Sequence, residues 1–129
     1  MNHKFGLFIK FVRSISLFFI IIISGCQTSQ YSLHKKDIYL NDQRNQRASI
    51  VAATKYLKYK CNREGLPADS IIIEAVNRIA VQKGEEPLDV KELAENSDSL
   101  YQNLLKDNTP EKIKCDDFNL QLKRFIKEL

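Results

Sequence analysis

A basic N-terminus followed by a short apolar block limits how much of this chain can fold as a domain. A largely apolar run occupies 15–23, and three basic residues, Lys4, Lys10 and Arg13, come before it. No acidic residue occurs before Asp37. This order and length are typical of an export signal peptide. The alternative is a retained membrane span, which needs roughly 20 uninterrupted apolar residues. Because Arg13 and Lys10 interrupt the apolar residues upstream, the sequence favours the signal peptide.

The apolar run ends in the quartet Ile23-Ser24-Gly25-Cys26. This quartet resembles the lipobox of bacterial lipoproteins, in which a branched apolar residue and two small residues precede a cysteine. The resemblance implies cleavage before Cys26, attachment of diacylglycerol to its thiol and acylation of its new amino group. Each buried methylene contributes about 0.8 kcal/mol, so several acyl chains would anchor a domain stably. A signal anchor ending in a buried cysteine is the alternative.

Gln27 follows this cysteine. In the sorting rule known for many Gram-negative lipoproteins, an aspartate at this position retains the protein at the inner membrane. The glutamine therefore implies that the lipoprotein-sorting machinery delivers the protein to the outer membrane, facing the periplasm.

The net charge of the chain depends on the predicted signal. Loss of residues 1–25 leaves 17 basic and 16 acidic residues, a formal charge of +1 instead of +4. The remaining basic residues are interleaved with acidic ones, so the sequence gives no argument for nucleic-acid binding. About 100 residues remain, enough for a single domain with one modest core.

Cys61 and Cys115 are the cysteines left after lipidation of Cys26. Two cysteines in a small domain in the oxidising periplasm predict one disulfide. The chain-entropy treatment of the long loop between them gives a stabilisation of about 4 kcal/mol. A pair of free buried thiols is the alternative.

The chain after the signal divides into a lipidated tether at 26–41 and a helical domain at 42–129. Residues 27–41 show no sustained helical or strand period and are predicted to be flexible or lightly ordered. From about Asp42 to Asn62, helical spacing places several residues on one stripe. These are Ile50, Ala53, Thr54, Leu57 and Cys61. Gly65 and Pro67 are expected to end this first helix.

A second helix is predicted to start with Asp69 or Ser70 as its cap and to end before Gly84. Its wide apolar arc predicts that it is the most buried helix. A third lies within 88–106, and the poor helix formers at 95–98 predict a kink or break there.

The last helix is predicted to start with Thr109 as cap and Pro110 in the first helical position. Its stripe consists of Cys115, Phe118, Leu122, Phe125 and Leu129. A bond between the two cysteines would hold the first and last helices side by side. With no repeated alternating run to support a sheet, the predicted fold is a compact all-α bundle of about four helices, joined by one disulfide.

The sequence offers little for catalysis. His34 is the one histidine left after the signal, and two thiols do not make a zinc quartet. Phosphate-binding glycine motifs are absent from the sequence. Two acidic pairs, Glu85-Glu86 and Asp116-Asp117, would be the candidates for a small hydrolase that uses paired carboxylates. Solvated surface charge is the preferred interpretation of both pairs. We therefore predict a protein that is not an enzyme and carries no metal or cofactor besides the lipid.

Four stretches carry a resemblance to a known family. They are Y-L-K-Y-K-C-N-R-E-G-L-P (56–67), A-V-N-R-I-A-V-Q-K-G (75–84), L-Y-Q-N-L-L-K-D-N-T-P (100–110) and K-C-D-D-F-N (114–119). From about Ala48 to Leu129 the chain resembles the PulS/OutS family of pilotins, the small lipoproteins of type II secretion systems. The resemblance implies a four-helix bundle with a disulfide between its first and last helices.

The resemblance also implies a function. Pilotins bind the C-terminal segment of a secretin subunit, and their lipid anchor lets lipoprotein export carry that subunit to the outer membrane for assembly. No short binding signature identifies the contact residues. We predict a groove shared by the first and third helices, formed by Ile50, Ala53, Leu57, Leu93, Leu100 and Leu104. The alternative is that these six residues belong to the core. Another periplasm-facing helical lipoprotein, acting as an inhibitor or envelope-assembly factor, is the alternative function.

Overall fold

The computed structural model describes residues 28–129, with side chains from residue 35 onward. It contains α1 (Thr28–Tyr59), α2 (Asp69–Gln82), α3 (Val90–Lys106), α4 (Glu111–Gln121) and the single turn α5 (Lys123–Ile126). The predicted all-α fold is therefore confirmed for the described residues. Residues Ile38–Leu129 form one unit by their internal contacts.

The predicted export signal and the lipidation site Cys26 lie outside the described residues. Within the described part of the chain, no helix is long and apolar enough to cross a membrane.

Helix α1 begins at Thr28, so the start predicted near Asp42 was wrong. The side chains at 35–39 are exposed, and a helical segment whose side chains face solvent needs no apolar stripe. The segment also contains no glycine or proline, the residues that most disfavour a helix. The absence of helix breakers was therefore a better guide than the missing stripe. That this segment spaces the domain from a lipid stays a prediction.

Helix α2 starts without the predicted cap. Its N-cap is Ala68, and neither Asp69 nor Ser70 caps it. The Asp69 carboxylate instead accepts hydrogen bonds from the Lys58 ammonium (3.1 Å) and the Tyr59 hydroxyl (2.9 Å) of α1. The predicted end is confirmed, because Gly84 follows the last residues of α2 with a left-handed φ of 85°.

Helix α3 runs unbroken through 95–98, so a break there, one of the two predicted outcomes, does not occur. Ser97 is 1% exposed, and its hydroxyl donates to the Leu93 carbonyl one turn earlier, which accommodates it inside the helix. The cap, which sequence reasoning missed, is Asp89. Its carboxylate accepts from the Glu92 N–H at 2.8 Å.

The last predicted helix is divided. Helix α4 has Pro110 as its N-cap rather than Thr109, whose N–H donates to the Asp107 carboxylate at 2.6 Å. The helix is interrupted at Leu122 and resumes as α5. Because Leu122 is 7% exposed, the interruption still places an apolar side chain in the core.

The prediction that α2 is the most buried helix is confirmed for the described residues: five of its 14 residues are buried, against eight of the 25 residues of α1 whose side chains are described. On α2, Ile71 and Val81 remain 46% exposed. One core cluster joins α1 to α2 and α3, and it consists of Ala48, Val51, Ile72, Ile73, Val76 and Leu93. A second cluster joins α1 to the end of α4, and it consists of Ala53, Leu57 and Leu122. Helix α1 therefore contributes to both clusters.

The predicted disulfide between Cys61 and Cys115 is present, with the two Cα atoms 5.7 Å apart. Cys61 follows the end of α1, and Cys115 lies within α4. Nearby, the rings of Tyr56 and Phe118 pack edge to face with their centroids 5.7 Å apart. A covalent bond and an aromatic contact therefore both hold α4 against α1.

An ionic network joins α1 to the start of α2. The Asp69 carboxylate binds Lys58 and Tyr59, and the Lys55 ammonium lies 3.5 Å from its second oxygen. Partial burial opposes ionisation of Asp69, but the Tyr59 hydroxyl and the two ammonium groups outweigh it and lower the pKa of this carboxyl. Asp69 therefore stabilises the fold in its ionised form.

Acidification is expected to weaken the domain through Asp69. Its pKa is lower in the folded chain, so its contribution is complete at neutral pH and is lost as the pH falls from about 4 through the lowered value. Asp69→Asn should reduce the free energy of unfolding by about 1 kcal/mol at pH 7 and by less at about pH 2. Urea unfolding at both pH values measures this difference. Asp116→Asn, which removes an exposed pair with Lys112, is the control. An equal loss from Asp69→Asn at both pH values would contradict the expectation.

Candidate functional site

An apolar groove lies on the surface between α1 and α3, next to α4. It has a volume of about 240 Å³. Its lining consists of Ser49, Ala52, Ala53, Leu100, Asn103, Leu104, Asp107 and Phe118. We call it the α1–α3 groove.

Local sequence explains why a groove forms here. Ala52 and Ala53 are buried but have short side chains, so α1 leaves space along this face. Leu100 and Leu104 are one turn apart on α3 and remain half-buried, since no helix of the described chain covers them fully. Phe118 reaches the groove from α4, which the disulfide holds in place. The result is an open surface with an apolar character.

The structure separates the six residues predicted to form a groove. Ala53, Leu100 and Leu104 line the α1–α3 groove. Leu57 and Leu93 do not line it; they are 0% and 2% exposed and lie in the two core clusters, to one of which Ala53 also belongs. For these two residues the structure agrees with the alternative, a place in the core.

Ile50, the sixth predicted residue, borders a different cavity of about 300 Å³ between α1, α2 and the end of α4. This cavity is larger and mixed in character: apolar residues such as Ile50 and Phe125 line it together with the ionic residues Arg47, Lys83, Glu85, Arg124 and Glu128. The Arg47 guanidinium is 3% exposed and donates to Asn77 (2.8 Å) and to Glu85 (2.9 Å). These contacts hold α1 to the end of α2, so we interpret Arg47 as a structural residue.

Sequence reasoning missed the polar end of the α1–α3 groove. Hydrogen bonds from the hydroxyl and backbone N–H of Thr109 lower the pKa of the exposed Asp107. Asp107 is therefore ionised at neutral pH and gives this end of the groove a negative charge. The sequence contains a signal for this contact: Asp107 stands two residues before Thr109, and an aspartate carboxylate often accepts a hydrogen bond from the backbone N–H two residues ahead.

The acidic pairs that were candidates for hydrolysis do not line this groove. Glu85 binds Arg47, and Asp116 binds the exposed Lys112 one turn away at 2.7 Å. Among the described residues, no three histidine, cysteine or acidic side chains are grouped closely enough to hold a metal ion.

A match over most of the chain decides its family. Residues 23–127 match the type II secretion system pilotin lipoproteins, the PulS_OutS family. The chain belongs to this family. The matched residues include Cys26 and both disulfide cysteines, so the resemblance inferred from the four sequence stretches is confirmed.

Individual pilotins and their assemblies agree with this membership. The chain is 39% identical over 110 residues to the pullulanase secretion protein PulS of Klebsiella pneumoniae, covering 85% of this chain and 88% of that protein. It matches a chain of the K. pneumoniae type II secretion outer membrane complex of PulD, PulS and the PulC HR domain. There the TM-score is 0.66 and the identity 47%, over 67% of this chain and 94% of that one.

A further solved structure is a pilotin/secretin peptide complex. The chain matches it with a TM-score of 0.65 and 42% identity, over 68% of this chain and 93% of that one. The two proteins therefore share a fold.

Proposed function

We propose that this pilotin binds the C-terminal segment of a type II secretion secretin subunit in the α1–α3 groove. The observation that carries the proposal is the open, apolar α1–α3 groove. The chain that contains it is 42% identical in sequence to a chain of a solved pilotin/secretin peptide complex. The cavity bordered by Ile50 is a poorer match for apolar side chains, because five ionic residues line it, whereas Asp107 is the one ionic residue that lines the α1–α3 groove.

The dimensions of the groove indicate how a peptide would bind. Leu100 and Asp107 mark its extent along α3, roughly 10 Å at the helical rise, or two turns. A volume of about 240 Å³ is below that of a typical small-molecule pocket, about 300–1,000 Å³. The groove is of a size to accept a few apolar side chains, spaced i, i+3 or i+4, and i+7, from one face of a partner helix. A disordered segment that folds on the groove would provide them.

The lipid at Cys26 supplies the second part of the proposed function. The lipoprotein-sorting machinery recognises the acylated N-terminus and, with Gln27 after it, delivers the protein to the outer membrane on its periplasmic side. A secretin subunit bound in the groove travels with it. The protein thus acts by binding and localisation and performs no covalent chemistry.

Deletion of the gene tests the proposal. The secretin of the same cell is expected to remain monomeric or at the inner membrane, and the wild-type gene should restore outer-membrane multimers. Gels and membrane fractionation measure both properties. A Cys26→Ser variant is the matched comparison: it should bind the secretin without delivering it. Unaltered secretin multimers at the outer membrane of the deletion strain would contradict the proposal. Capture of an enzyme in place of a secretin would favour an inhibitor.

A further inference from the structure

Lys114 is a buried cation in the first turns of α4. It is 8% exposed, whereas its neighbour Lys112 is 86% exposed at the side chain. Its ammonium donates hydrogen bonds to the backbone carbonyls of Leu104 (2.8 Å) and Asp107 (3.0 Å). It also lies 5.1 Å from the centroid of the Tyr56 ring of α1. One side chain therefore contacts α1, the end of α3 and the connection that follows it.

The two carbonyls explain why a buried lysine is stable at this position. The last four carbonyls of a helix have no partner within the helix, and Leu104 is among them in α3. The Lys114 ammonium provides donors to that carbonyl and to Asp107, and its positive charge lies at the negative end of the α3 dipole. The face of the Tyr56 ring provides a further attraction for the cation.

The same two residues, Leu104 and Asp107, line the α1–α3 groove. We propose that Lys114 is a positioning residue for partner binding, one that fixes the α3 wall of the groove in its binding geometry. This inference rests on the proposed function. A wall held in place before the partner arrives loses less conformational freedom on binding, so the affinity is higher.

Lys114→Met tests the inference, because methionine keeps an unbranched apolar stem and removes the donor. The probe is a synthetic peptide with the C-terminal sequence of the secretin from the same secretion system, titrated against the full lipoprotein in detergent. At a temperature where circular dichroism shows the variant folded, its Kd should rise about tenfold. Hydrogen exchange at the Asp107 amide, which closes the last turn of α3 on Asn103, should become faster. Lys114→Arg should restore a large part of the affinity.

Two controls separate positioning from general effects. Asp69→Asn weakens a contact outside the groove and should lower stability without changing the Kd. Lys112→Met removes an exposed charge from the same helix and should change neither. If the wild-type protein binds the peptide and Lys114→Met binds it equally well, the inference is wrong. If the wild-type protein does not bind, the proposed function fails, and unchanged Asp107 exchange in Lys114→Met would then overturn the role in the wall as well.

Discussion

Cys61→Ser is expected to lower the free energy of unfolding by about 4 kcal/mol, because the disulfide closes a loop of 54 positions and so restricts the unfolded chain. Domains of this size have a total stability of about 5–15 kcal/mol. The variant should therefore unfold at a much lower urea concentration and accumulate poorly in the periplasm. Urea unfolding of the purified lipoprotein, with and without a reductant, measures the effect.

The matched control is the double variant Cys61→Ser/Cys115→Ser. It should be about as stable as the single variant, and a reductant should not change its unfolding. Wild-type protein should become as unstable as the variants once the bond is reduced. Identical unfolding of the wild-type protein under reducing and oxidising conditions would refute a stabilising role for the Cys61–Cys115 bond.

The features of the fold that depend on local chemistry were predictable from the sequence. Gly84 ended α2 because glycine accepts a left-handed φ at little cost, and the apolar stripe of α1 was visible in its spacing. Pairing of Cys61 with Cys115 followed from the number of cysteines and the predicted export signal. Each of these inferences depends on residues close in sequence or on the number of cysteines.

Features that depend on distant residues were not predictable. Arg47 looks like a surface cation in the sequence, but its partners Asn77 and Glu85 lie 30 and 38 positions away. Asp69 was an obvious cap candidate, and Lys58 and Tyr59 of α1 bind it instead. In both cases the neighbouring sequence suggested one role for a polar side chain, and its contacts with residues distant in sequence give it a different role.

The residues of α1 that line the groove were also not predictable from the sequence alone. The stripe that contains Ile50, Ala53 and Leu57 packs against Leu122, and Leu57 is completely covered. The residues of α1 that line the groove are Ser49, Ala52 and Ala53, so Ala53 is the one member of the predicted stripe that reaches it. Periodicity shows which residues are apolar, but the position of α4 decides which of them are covered.

Leu104→Glu is expected to abolish partner binding, with an affinity loss of at least about 100-fold. Leu104 lines the groove and belongs to neither core cluster, so the free protein should keep its fold. A partner helix that covers the groove would remove water from the new carboxylate, and burial of an unpaired charge costs several kcal/mol. The ionised Asp107 nearby adds like-charge repulsion. Titration with the secretin peptide and the level of secretin multimers in cells measure the loss.

Leu105→Glu is the control that the chain itself offers. Leu105 is the next residue of α3, is 40% exposed and does not line the groove. The same substitution there changes charge and helix propensity equally but should leave the Kd and the secretin multimers unchanged. Equal losses in both variants would indicate a general charge effect, and normal binding by Leu104→Glu would place the partner on another surface. Because only the direction of the side chain differs between the two sites, a loss confined to Leu104 would locate the partner in the α1–α3 groove.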